Sequence, residues 1–123
     1  MRQLGGTGII GQDMVCGFGK KNEIIWELGF IHDETGKDVS RGNAIRTGFY
    51  KLKNTTTKCT IYWKPTGIFA KIYEYDKDKK YLGCIYSDSG NLTKTLKSKG
   101  GYVRFVFENY SSKLESFMVK EVS

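Results

Sequence analysis

The sequence predicts an all-β fold, an antiparallel β-sandwich or barrel of about eight strands, and three observations predict it. Runs rich in β-branched and aromatic residues recur at roughly 8 to 14 residue intervals between Ile24 and Val122. No stretch sustains the apolar stripe of about 3.6-residue period that an amphipathic helix needs, so helix is a minor component at most. The 123 residues are 39% hydrophobic and 14% aromatic with a single proline, which is the composition of a folded chain. One domain of this length buries roughly two-thirds of its unfolded surface, so a core forms without metal or disulfide.

Residues 1–22 carry Gly5, Gly6, Gly8, Gly11, Gly17 and Gly19 with no sustained period. They read as a glycine-rich arm or connector ahead of a domain at 23–123. Ile24 to Phe30 is the first strand run, ended by the turn-rich His32 to Ser40, and Ala44 to Lys53 is the second. Thr57 to Trp63 follows, Pro65 and Gly67 break it, and Ile68 to Tyr75 resumes. Asp76 to Lys80 is a charged hairpin tip leading into Tyr81 to Tyr86. After a loop at Ser87 to Asn91 come Leu92 to Leu96, then Tyr102 to Glu108 behind Gly100 and Gly101, and finally Leu114 to Val122.

Alternation assigns the faces of these strands. Val103, Phe105 and Phe107 share the core side, which turns Tyr102, Arg104, Val106 and Glu108 outward. Ile68, Ala70 and Ile72 likewise oppose Phe69, Lys71, Tyr73 and Tyr75, and Arg46 points away from Ile45 and Thr47. Trp26, inside an apolar run, reads as core. Trp63, at a strand end before Lys64 and Pro65, reads as the more exposable tryptophan.

Motifs that would carry chemistry are missing or incomplete. Gly6, Gly8 and Gly11 form a dinucleotide-type spacing with Glu27 downstream, but only five residues precede it and Gly17 and Gly19 interrupt the helix it requires. Gly19-Lys20 fails as a phosphate loop because Met14 and Lys21 occupy its other defining positions. Cys16, Cys59 and Cys84 are widely spaced and His32 is the lone histidine, so no zinc site is legible; Cys59 and Cys84 read as small buried strand residues. Glu27, Asp33, Glu34, Asp38, Glu74 and Glu108 lie in turns or on outward strand positions rather than as a catalytic pair. The expectation is a protein that is not an enzyme and holds neither cofactor nor metal. No apolar run is long enough for a membrane helix and no signal-peptide pattern opens the chain, which predicts synthesis in the cytoplasm without membrane insertion. The sequons at Asn54, Asn91 and Asn109 matter only in a secretory pathway.

The net charge of +7 is unevenly placed. Between Val39 and Tyr73 stand Arg41, Arg46, Lys51, Lys53, Lys58, Lys64 and Lys71 with no acid, and Ser89 to Phe107 repeats the pattern with Lys94, Lys97, Lys99 and Arg104. Edge-strand lysines also keep sheets apart, so part of this charge is solvated surface. The asymmetry otherwise suits an anionic partner such as teichoic acid, an acidic polysaccharide, nucleic acid or an acidic neighbour in an assembly. Too many strands for a minimal five-stranded barrel and no RNP-like motif weigh against nucleic acid.

Three segments taken in order, Trp26 to Tyr50 (WELGFIHDETGKDVSRGNAIRTGFY), Ile68 to Gly83 (IFAKIYEYDKDKKYLG) and Gly101 to Phe107 (GYVRFVF), resemble the carbohydrate-binding-module-like jelly-roll domains of phage and prophage tail or baseplate proteins of Gram-positive bacteria. The likeness covers about the last hundred residues. It implies a jelly-roll sandwich, a place in the virion tail, and a non-catalytic recognition or accessory role toward host cell-surface carbohydrate. Implied partners are wall polysaccharide and other tail or baseplate subunits, including further copies of the chain; a module that only docks on a partner subunit is the alternative. Sugars stack an apolar ring face on aromatics while amides and charged groups fix their hydroxyls. Trp63, Arg46, Lys71, Tyr73, Tyr75, Tyr86, Tyr102 and Arg104 are the expected ligand-contacting residues.

Overall fold

The computed structural model describes residues 26–108 and 114–123; the glycine-rich arm lies outside the described residues. Among them every regular element is a strand: β1 (Trp26–Leu28), β2 (Phe30–Ile31), β3 (Asp38–Val39), β4 (Ala44–Thr47), β5 (Tyr50–Lys51), β6 (Lys58–Lys64), β7 (Phe69–Tyr75), β8 (Tyr81–Ser87), β9 (Asn91–Thr95), β10 (Tyr102–Glu108) and β11 (Ser116–Val122). All pair antiparallel.

These are eleven strands where about eight were expected, and the excess has local causes. Gly29, at φ +143°, splits the first apolar run so that β2 leaves the sheet that β1 joins. Gly48 and Phe49 interrupt the second run, and the register on β10 slips by one residue between β4 and β5. Across that break the Thr47 hydroxyl accepts from Phe105 N at 2.9 Å, so a side chain replaces the missing backbone rung. The third addition, β3, comes from the polar loop and pairs with β2.

A six-stranded sheet runs β1-β4-β10-β7-β8 with β5 also on β10, and a three-stranded sheet runs β11-β6-β9. They pack on one shared core. Trp26, Ile45, Ile72, Val103, Phe105 and Phe107 of the large sheet meet Cys59, Ile61, Trp63, Leu92, Phe117 and Val119 of the small one, giving an all-β, sandwich-like arrangement. Phe117 sits within 5.2 to 5.4 Å of the Trp26, Phe105 and Phe107 rings. At one end Glu74 of β7 and Lys94 of β9 cross the same gap as an ion pair of 2.9 Å.

The other face of the large sheet is not open. The β2–β3 hairpin lies over it, and Phe30 and Ile31 form a second apolar cluster with Ala44, Tyr73, Tyr75 and Val106. Thus β7 and β10 are buried on both faces, and alternation along them separates two cores rather than inside from outside.

Candidate functional site

That third layer decides the fate of most expected ligand residues. Arg46 donates from Nε to Glu27 Oε2 at 2.9 Å and from Nη1 to the carbonyls of Phe30 and Val39, both at 3.0 Å. Arg104 donates to Thr47 O at 2.9 Å and Asp38 Oδ1 at 2.7 Å. Lys71 meets Asp33 at 2.9 Å and Glu108 at 3.2 Å, with Nζ 4.4 Å from the centre of the Phe30 ring. The Tyr73 hydroxyl lies 2.6 Å from Ile31 O and 2.7 Å from Asp33 Oδ1, so one proton serves two acceptors. Tyr75 donates to Gly36 O at 2.7 Å, and Tyr81 donates to Asp33 O. The expectation that Arg46, Lys71, Tyr73, Tyr75 and Arg104 point to solvent is therefore corrected: they are the bolts that fasten the hairpin. A buried charge or hydroxyl needs such partners, and the turn carbonyls and acids between Glu27 and Val39 supply them.

Trp63 is corrected as well. It is 2% exposed, its indole Nε1 donates to Ile68 O at 3.0 Å, and its ring packs 5.7 Å from Phe107. Parity explains this, since Cys59, Ile61 and Trp63 share the inner side of β6. Trp26 is core as expected, at 1%. Tyr102 is half-buried, and only Tyr86, at 62%, is freely exposed among the expected ligand residues, with its ring 5.0 Å from Phe69.

The acids are similarly spoken for. Glu27, Asp33, Asp38, Glu74 and Glu108 each face an arginine or lysine within 3.5 Å. Burial raises the Asp33 carboxyl, but hydrogen bonds from Lys71 and Tyr73 and the charge of Lys71 outweigh it and hold the group below its ordinary value. A carboxylate kept ionised in this way is unsuited to act as a general acid. Burial pushes the Cys59 thiol up to about 12, and it pushes Cys84 upward too, which is the reverse of what a nucleophile requires. Among the described residues no group of three or more His, Cys, Asp or Glu side chains could hold a metal. His32 caps its turn by accepting from Glu34 N at 3.1 Å.

The surface that remains is the outer face of the small sheet. Tyr62, 40% exposed, stands at its centre, with Met118 opposite on β11 and Asn91 opposite on β9. The flanking rows are Lys64 with Ser116, and Thr60 between Lys120 and Thr93, where the two threonine hydroxyls meet at 2.7 Å. Cross-strand pairing therefore sets an aromatic ring among amide, hydroxyl and ammonium groups, and no acid points from these rows. Alongside lies a groove of about 440 Å³ lined by Tyr62, Trp63, Lys64, Gly90, Ser116, Phe117 and Met118. Tyr62 was missed from sequence, although the parity of Cys59 and Ile61 that buries Trp63 already turns Tyr62 outward.

Compared with models of protein families, with curated proteins and with solved structures, the chain matches none.

Proposed function

We propose that the chain is a non-catalytic recognition domain that binds carbohydrate weakly and in several copies, through the outer face of the β11-β6-β9 sheet. The observation that carries this reading is Tyr62, an exposed ring on an acid-free sheet face with Asn91, Thr93, Ser116 and Lys64 around it. An apolar sugar face stacks on such a ring, and the surrounding amide, hydroxyls and ammonium bond its hydroxyls. Stacking on one tyrosine contributes a few kcal/mol at most at ~25 cal/mol per Å², so useful adhesion needs multivalency. The finer fold we propose is the jelly roll, and the context a phage or prophage tail or baseplate, on the resemblance of the three segments described above. The cations that hold the acids of the large sheet support a binding role over a hydrolytic one.

A structural module docking on a partner subunit is the second reading, favoured by Met118, which is 45% exposed on the edge strand β11. A glycan array and pull-downs on Gram-positive cell walls, at low and high salt, separate the two. The recognition reading expects binding that falls about tenfold or more in Tyr62→Ala while the unfolding free energy stays within roughly 0.5 kcal/mol, as for ordinary surface substitutions. Absence of binding to every glycan and wall fraction would end that reading in favour of assembly.

A further inference from the structure

One group of cations makes ion pairs, and a second group, which makes none among the described residues, gathers elsewhere; within it Lys51 and Lys97 donate to the carbonyls of Gly100 and Leu82. Arg41, Arg46, Lys71, Lys94 and Arg104 make the ion pairs found among the described residues, on the hairpin-covered face or between the sheets. At one end of the sandwich three loops converge instead. Loop 96–101 holds loop 52–56 through Gly101 O, which accepts from Leu52 N at 2.9 Å, and through Gly100, which abuts Asn54. It also reaches Glu74 at the base of the 76–80 tip, whose Oε2 accepts from Lys97 N at 2.8 Å and Ser98 N at 3.1 Å. Together these loops and the adjoining end of β5 expose Lys51, Lys53, Lys77, Lys79, Lys97 and Lys99, none of them in an ion pair among the described residues.

The acids at this end are turned to other uses. Asp76 directs Oδ1 to the amides of Asp78 and Lys80, at 2.8 and 2.9 Å, and Glu121 is held by Tyr50, Lys53 N and Thr56. Asp78 is exposed at the tip and makes no ion pair among the described residues. The aromatics there, Phe49 at 40% exposure and the half-buried Tyr102, already hold cations: Lys79 Nζ sits 4.7 Å from the Phe49 ring centre and 5.2 Å from that of Tyr102, Lys51 lies 5.0 Å from Tyr102, and Arg104 4.9 Å from Phe49. Tyr75 and Tyr102 also meet Phe49 edge-on, at 4.8 and 5.7 Å.

We infer that this lysine-rich end is a second binding site, for a glycopolymer whose repeats are joined by phosphodiesters. The inference rests on the domain being a glycopolymer-recognition module and does not depend on Tyr62. The Phe49 and Tyr102 rings already hold cations and meet each other edge-on, so a base would have to displace those contacts to stack, which favours phosphate over nucleic acid. Lysine ammonium groups act as point charges suited to tetrahedral phosphate, whereas planar carboxylates of uronate chains are matched by the arginine fork, and the exposed cations here are all lysine. A polymer can touch all three loops at once, and each contact releases counterions.

The test is binding of the full chain to poly(glycerol phosphate), polygalacturonate and poly(dT), with wild type, Tyr62→Ala and the triple variant Lys51→Gln/Lys79→Gln/Lys99→Gln. The expected result is preferential binding of poly(glycerol phosphate), weakening at least roughly tenfold between ~50 and ~200 mM salt. The triple variant should lose at least tenfold, Lys→Arg at the same positions should retain binding, and Tyr62→Ala should bind this polymer as wild type does. Circular dichroism melts of the triple variant report whether it is folded; should it not be, the single variants carry the same comparison. No binding at low salt, equal binding by the glutamine variants, or equal affinity for polygalacturonate or poly(dT) would each overturn the inference. Loss of neutral-glycan binding in Tyr62→Ala tests the sheet face separately, so the two sites fail independently.

Discussion

Glu74 shows how much this fold asks of single polar residues. It is wholly buried in β7, yet Oε1 takes the Lys94 ammonium and Oε2 takes two backbone amides of the 96–101 loop. One side chain thus joins the two sheets and fixes the loop that carries Lys97 and Lys99. Replacing one partner of such a buried pair leaves the other charge without compensation, which costs about 3 to 5 kcal/mol, more than the pair itself contributes. Glu74→Gln should therefore lower the unfolding free energy from urea melts by a loss of that size, and adding Lys94→Met should recover a large part of it. A Glu74→Gln protein as stable as wild type would show that the pair carries no such strain. The expectation that Glu74 lies on an outward strand position is corrected: it is wholly buried, and a carboxylate in a strand reads as an exposed acid until its lysine, twenty residues away, is known.

At the scale of the element, the β2–β3 hairpin is what turns a two-layer expectation into three layers. Its turn is held from beneath by three tyrosines of β7 and β8, whose hydroxyls reach Ile31 O, Gly36 O and Asp33. A bulge at the β7–β8 pairing brings Tyr81 opposite Tyr75 while Cys84 stays opposite Tyr73, so the three rings share one face despite uneven spacing. Gly36 sits at φ +70° with its Cα against the Tyr81 ring, and a Cβ there would approach Tyr81 Cγ to 2.5 Å. Gly36→Ala should cost at least about 1 to 2 kcal/mol from the left-handed backbone alone, with the ring contact added. Amide hydrogen exchange should rise across Phe30 to Val39 more than in β6 or β11; a uniform change would mean the hairpin is not a separable layer. The long strands were legible in sequence because β-branched and aromatic runs bounded by Gly, Pro and Asp mark them directly. The cover was not, because β2 and β3 are two residues each and their pairing is specified by Arg46, Lys71, Tyr73 and Arg104 on other strands. Alternation does set those four residues on the side away from the main core, but that side is buried under the hairpin rather than turned to solvent. The layer above them leaves no sequence signal, so parity alone reads clamps as ligand contacts and leaves Tyr62 unmarked.

Taken as a whole, the molecule places its ionisable groups so that both ends of the pH scale oppose folding. On the acid side Asp33 is held below its ordinary 3.8, so its contribution is complete above that value and is lost as the pH falls through the lower folded value. On the alkaline side the sign reverses. Burial raises Tyr73, Tyr75, Tyr81, Cys59 and Cys84, each neutral when protonated, so the unfolded chain gives up these protons first. Cys59 ionises near 9.0 when exposed and near 12 when folded, and tyrosine near 10.0 when exposed. Their stabilisation is whole below about pH 9 and drains away above it, because the unfolded state then binds fewer protons than the native one. In the unfolded chain the phenols of the hairpin clamps and the Cys59 thiol give up their protons from about pH 9 to 10, so both layers are weakened in the same range. Urea midpoints should stay level between about pH 5 and pH 8 and fall steadily from about pH 9 to pH 11. Tyrosinate absorbance should lag in the native protein and appear in step with unfolding. A midpoint that holds or rises above pH 9, or tyrosines that all titrate freely while the fold persists, would show that the phenols and thiols are not sealed between the layers.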